Sequence, residues 1–139
     1  MFPAQAMMIP VFVQVALTLF LFARVAANRN TEIRSDTSLL KTAAVDSSQY
    51  SLKAQQIGNS YNSQFQLPVL FYAVTAFAML TASESYLLAT LGGLFVLTRI
   101  IHMFVHVGSN NVMRRFMSFA AGFAVLVVMW IVFGVTYFL

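Results

Sequence analysis

There is no cysteine in this chain, so disulfides, thiolate metal sites and a cysteine nucleophile are excluded together. Acidic side chains are almost as scarce. Glu32, Asp36, Asp46 and Glu84 are the complete set, and each falls in a polar connection rather than an apolar run. The paired carboxylates of a glycosidase are therefore missing, as are a glycine-rich phosphate loop and a serine nucleophile elbow. Charge of both signs together makes up 9 % of the 139 residues, against roughly 25 % in a soluble domain. Apolar residues fill the space, at 60 % of the chain and a mean hydropathy of +0.79. These proportions describe a single-domain, all-α integral membrane protein. Its net charge of +4 belongs to membrane orientation, not to nucleic-acid binding.

Four segments can cross a hydrocarbon core of about 30 Å, although the apolar run Leu67–Ala82 is short for a span and must be completed by part of the amide-rich stretch before it. Phe2–Ala23 carries no charge, and Arg24 and Arg29 follow the run instead of preceding it. That order is the reverse of a cleavable signal, so the segment is kept as the first helix. Pro10 should bend it or be absorbed by a neighbour's packing, and Gln14, in mid-span, predicts a hydrogen bond to another helix. Asn28 to Ser51 reads as a solvated connection with a short surface helix around Leu39–Val45. From Leu52 an amide-rich stretch (Gln55, Gln56, Asn59, Asn62, Gln64, Gln66) passes without a turn signal into the apolar Leu67–Ala82. This predicts one long helix, with Pro68 marking the membrane entry or a kink. Its amides either satisfy one another at an interface or line a polar ligand cleft. Tyr86–Val107 is the third helix, with Gly92-Gly93 allowing close backbone approach. Gly108-Ser-Asn-Asn ends it, and a fourth apolar run begins at Phe116. The expected helices cover about 2–27, 52–82, 86–107 and 115–138, with 28–51 as the long connection.

Every Lys and Arg lies in or beside the first and third connections: Arg24, Arg29, Arg34, Lys41, Lys53, Arg99, Arg114 and Arg115. The positive-inside rule puts those connections, including 28–51, in the cytoplasm and both termini outside. Arg99, His102 and His106 are spaced i, i+3, i+7 and share one helical face. Arg99 lies roughly 12 Å inside the end of its helix at ~1.5 Å per residue. A charge at that depth costs about 2.5–3.5 kcal/mol. It must therefore snorkel, pair with a carbonyl or neighbouring helix, or face a ligand. His102 and His106 also have the spacing of a two-histidine metal face, but no acid or thiol shares their helix, so no metal site is expected. The lone Arg and two His offer no repeated polar lining of the kind a channel uses.

The amide-rich second helix enters the membrane at Pro68-Val-Leu-Phe71. The third carries Arg99-x-x-His102 followed by His106, and the fourth opens on Arg114-Arg115. Taken with four spans in about 140 residues, this pattern resembles the MAPEG family, the membrane-associated proteins of eicosanoid and glutathione metabolism. Gln64-Phe-Gln-Leu-Pro-Val-Leu-Phe-Tyr72 is similar to bacterial members, which implies a bacterial inner membrane. The resemblance implies a homotrimer of four-helix bundles among membrane lipids, with glutathione held between subunits beside a cleft for a lipophilic electrophile. On that basis Arg115 and His106 are the candidate catalytic residues. Arg99, His102, Asn59, Asn62, Gln66 and Arg114 are the candidate glutathione-binding residues. The second helix departs from the family pattern Arg-Ala-x-x-Asn-x-x-Glu: it has no Arg and no acid, and Gln66 stands where bacterial relatives carry Glu. His106 occupies a position often given to Tyr, and neutral His can still donate a hydrogen bond. Two functions follow. One is a glutathione-dependent transferase or peroxidase. The other is a non-catalytic subunit whose amide-rich helix packs on further copies or on a larger membrane complex.

Overall fold

A computed structural model describes residues 1–43 and 46–139. Its helices are α1 (Pro3–Ser35), α2 (Leu39–Thr42), α3 (Leu52–Asn62), α4 (Leu67–Leu80), α5 (Tyr86–Val107) and α6 (Val112–Phe138). Single turns of 3₁₀-helix sit at Ser47–Gln49 and Ser63–Phe65. Among the described residues, four segments are long and apolar enough to span a membrane: α1, α3 with α4, α5, and α6.

The helix ends differ from the pattern-based expectation in three places, each for a local reason. Helix α1 runs on to Ser35 instead of stopping near residue 27. The charged stretch after Arg24 contains neither Gly nor Pro, and its polar side chains bond back onto the helix (Asn28 to the Arg24 carbonyl, Thr31 to that of Ala27). The first third of the expected 28–51 loop is thus helical. Of the surface helix expected around Leu39–Val45, Leu39–Thr42 forms, while Ala44 and Val45 lie outside the described residues. The helix expected over 52–82 is broken at residues 63–66. Pro68, at the start of α4, has no N–H for the Gln64 carbonyl, so the chain cannot carry an unbroken ladder through this point. Finally, α6 begins at Val112, not 115, because the Asn111 side chain caps it by accepting the Arg114 N–H at 3.0 Å.

The basic ends of the helices are tied together. Glu32 near the end of α1 accepts the Ser51 N–H and hydroxyl, and Ser51 is itself the N-cap of α3. Lys53 donates to the Val107 carbonyl, which is the negative end of α5. Near the other end, Pro10 of α1 packs on Gly92 of α5. A Cβ at Gly92 would stand 3.1 Å from the Pro10 ring and 3.2 Å from Phe71. A side chain at Gly92 would make the Pro10 or Phe71 ring give way by a few tenths of an ångström, so glycine suits this close crossing. Phe71 stacks on Phe95 at 5.0 Å between α4 and α5, in a core with Met7, Val74, Leu88, Leu126 and Met129. Phe12, Leu19, Leu94, Ile101, Phe104, Phe123 and Ile131 face outward, as lipid-facing positions do.

Lipid tails are as apolar as Leu, so apolar burial alone gives the helices little reason to associate, and polar contacts between them carry weight. Gln14 of α1 supplies one: its buried amide donates to Gln64 Oε1 at 2.8 Å. Gln64 Nε2 in turn reaches the Ser60 carbonyl and the Ser63 hydroxyl, so this pair pins the break between α3 and α4. Gln14→Leu leaves the Gln64 carbonyl oxygen buried without that donor. The expected loss is about 1–2 kcal/mol. It is measured by thermal unfolding of the detergent-solubilised protein, and an unchanged transition would show that the pair does not hold the break.

Candidate functional site

The break in the second span, the end of α5 and the start of α6 face one cavity of about 530 Å³. Its polar side comes from Asn59, Asn62, Ser63 and Gln66 of the broken span and from His102 and His106 of α5. Its other wall is α6, with Arg115 between the apolar Val112, Phe116 and Phe119. Asn59, Asn62 and Gln66 are exposed at this surface, whereas His102 and His106 are buried.

The four residues between α5 and α6 lie outside the cavity wall but position Arg115, which lines it. Gly108 is required by geometry, since a Cβ there would lie 2.7 Å from the Phe104 carbonyl oxygen. Asn110 has φ 47°, the left-handed region that Asn tolerates better than most residues. Asn111 caps α6. From this turn Asn110 Oδ1 accepts from Arg115 Nη1 at 2.9 Å, and the same nitrogen donates to His106 Nε2 at 3.2 Å. A guanidinium can only donate, so His106 Nε2 is the acceptor and the ring's hydrogen sits on Nδ1. That Nδ1 has no hydrogen-bond partner among the described residues. His102 is the same tautomer, fixed by a different contact. Its Nδ1 lies 3.1 Å from the Arg115 carbonyl and 3.1 Å from the Ser118 hydroxyl, which itself donates to that carbonyl. His102 Nδ1 therefore donates to the carbonyl, and the neutral ring keeps Nε2 as an acceptor.

Arg114 and Arg115 lie in the first turn of α6, where a positive charge opposes the helix's own dipole. That local conflict eases when an anion arrives, because the same helix end favours negative charge.

Two of the candidate residues lie elsewhere. Arg99 does not line the cavity. It is 0 % exposed, with its guanidinium 5.3 Å from the centre of the Phe119 ring and its Nε 3.7 Å from where a Cβ on Gly122 would stand. None of its three nitrogens has a hydrogen-bond partner among the described residues. The i, i+3, i+7 face turns inward as a whole, but at Arg99 the neighbour is α6, and Phe119 stands between the guanidinium and the cavity. Arg114 is exposed, and its side chain is not part of the cavity wall. The cavity does bring together Arg115, His106, His102, Asn59, Asn62 and Gln66. Pattern reasoning misses Ser63, Phe116, Phe119 and Asn110. Asn110 carried a signal, because Gly-Ser-Asn-Asn contains both a left-handed position and a cap.

A model of the MAPEG family matches residues 7–135 of the chain. The chain belongs to the MAPEG family. No curated protein and no solved structure matches it significantly. As a MAPEG protein it is an integral, multi-pass membrane protein with four spanning helices. Its cavity offers one cation, two imidazoles protonated on Nδ1, several neutral amides and an apolar wall. Arg115 can hold an anionic group. His102 Nε2 can accept a proton or a hydrogen bond, and the phenylalanines can take an apolar partner.

Proposed function

We propose that this MAPEG protein is a thiol-dependent membrane enzyme of the transferase or peroxidase type, with glutathione as its thiol and a lipophilic electrophile as its second substrate. One observation carries the reading. Arg115 is held by Asn110 and His106 inside a cavity whose wall is half polar and half apolar. A nucleophilic thiol needs its ionised form stabilised, and a fixed cation beside it does this. Arg115 would supply the charge, and His102 Nε2, left as an acceptor, would take the thiol proton. Phe116 and Phe119 would hold an apolar reactant arriving from the lipid side. The bond formed is between sulfur and the electrophilic carbon, and the leaving group departs with the electron pair of the bond broken. The positive-inside rule assigns the cavity end to the cytoplasm, where thiols are kept reduced. The family resemblance implies three copies, with Asn59, Asn62 and Gln66 at or near their junction.

The test is titration of the protein in lipid nanodiscs with glutathione, followed by turnover with 1-chloro-2,4-dinitrobenzene. Saturable binding with Kd near or below about 1 mM, close to −4 kcal/mol, and thiol-dependent product formation are expected. No binding up to about ten times that concentration would remove the reading. A second reading, a non-catalytic subunit, draws on the exposed neutral amides of the broken span. It predicts that Asn62→Leu alters assembly while no thiol binds.

A further inference from the structure

We infer that this site favours thiols without an ammonium group, so that amine-free anionic thiols bind more tightly than the zwitterionic tripeptide glutathione. The inference rests on the thiol-dependent reading and concerns which member of that class fits.

The argument is a census of negative charge. The chain has four acids, and none lines the cavity. Glu32 accepts both the N–H and the hydroxyl of Ser51. Asp36 accepts the Ser38 N–H at 2.9 Å. Asp46 accepts the Ser48 N–H at 2.9 Å and hydroxyl at 2.6 Å, with Gln49 Nε2 at 3.3 Å. Glu84 stands in the connection between α4 and α5, at the far end of the bundle from the turn that carries Arg115. Further copies of the same chain bring only these same four acids, so self-assembly does not supply the missing carboxylate unless one of them leaves its present partners.

The cavity's own field is positive. Arg115 faces it, and Arg99 lies behind Phe119. Next to it, a small hollow shares Asn59 and Asn62 with the cavity and contains Arg29, whose guanidinium lies 5.0 Å from the Tyr50 ring and whose Nε has no hydrogen-bond partner among the described residues. An entering ammonium meets amide carbonyls in place of water, with no charge to offset its desolvation and with guanidinium groups nearby. A carboxylate or other anionic group meets the opposite situation on the same surface. The amides suit an amide-bearing thiol whose amine has been acylated or is absent.

The test compares two ligands that differ only at the amine, glutathione and N-acetylglutathione, by titration of the protein in nanodiscs. N-acetylglutathione is expected to bind about 5- to 50-fold more tightly. Equal or tighter binding of glutathione overturns the inference and leaves the thiol-dependent reading standing. Failure of both thiols to bind removes both proposals. Gln66→Glu supplies the converse. Gln66 is exposed at the helix break, so the exchange adds a carboxylate without disturbing the core. It is expected to move the ratio of the two affinities at least tenfold towards glutathione. An unchanged ratio would show that the amide wall does not meet the amine, and would overturn the assignment.

Discussion

Arg115→Ala is expected to weaken binding of an anionic thiol by about 30- to 1000-fold and to abolish turnover, with the four spans still inserted. The magnitude follows from the kind of bond that the substitution removes. A charge-assisted hydrogen bond is roughly twice as strong as a neutral one, and a guanidinium can make two of them to one carboxylate. About 2–4 kcal/mol at 1.4 kcal/mol per decade gives that range. Arg114 does not substitute, because it is exposed and its side chain is not part of the cavity wall. The variant also removes the donor that Asn110 and His106 share, so some loss of stability in the turn must be separated from loss of binding. Arg115→Lys makes the separation. It keeps the charge but not the planar fork, and should recover part of the binding with little change in chemistry. Both variants are read by calorimetric titration with thiol, alongside circular dichroism in the same detergent. Wild-type affinity in Arg115→Ala would move the site away from α6 altogether.

How far the sequence discloses this arrangement depends on the kind of signal each part leaves. Spans are legible because they obey a length and a composition rule, and all four are present. The end of α1 is not, because a charged helix and a charged loop have the same composition. What distinguishes them is the lack of Gly or Pro up to Ser35, which is a weak sign. The break at residues 63–66 has a visible cause in Pro68, which disfavours helix in the residues before it, but no sequence rule says that Gln64 will be pinned by Gln14 across the bundle. The cavity follows from that break, since the amides of an unbroken helix would be disposed differently. His102, His106 and Arg115 are legible as a constellation because helical spacing and the short turn force them together. Arg99 shows the limit. Its face could be read, but its neighbours could not. Phe119 and Gly122 meet it because of the register between α5 and α6, which the Gly108–Asn111 turn and the core set jointly.

Arg99 also carries the second large expectation, one with an unusual sign. Arg99→Met should make the protein more stable, by about 2–4 kcal/mol, even though Arg99 belongs to the motif that identifies the third helix. Its guanidinium is fully buried, and no described residue accepts from any of its three nitrogens. The one favourable contact is the face of Phe119 at 5.3 Å. Such a contact contributes about 0.5–2 kcal/mol, whereas removing an ion from water costs several kcal/mol even after relaxation. The balance at this position is therefore unfavourable. Met has a similar reach, no charge, and enough flexibility to fill the groove beside Gly122. The expected reading is a higher midpoint in thermal unfolding for Arg99→Met and no gain for Arg99→Lys, which keeps the charge. Binding should move the other way. Without the positive potential behind Phe119, an anionic thiol should bind several-fold more weakly, the usual exchange when a strained polar group at a site is replaced. A lower midpoint for Arg99→Met would mean that the guanidinium has hydrogen-bond partners in the assembled protein. The stability that a buried, unpaired guanidinium removes from one copy would then be restored by the contact between copies.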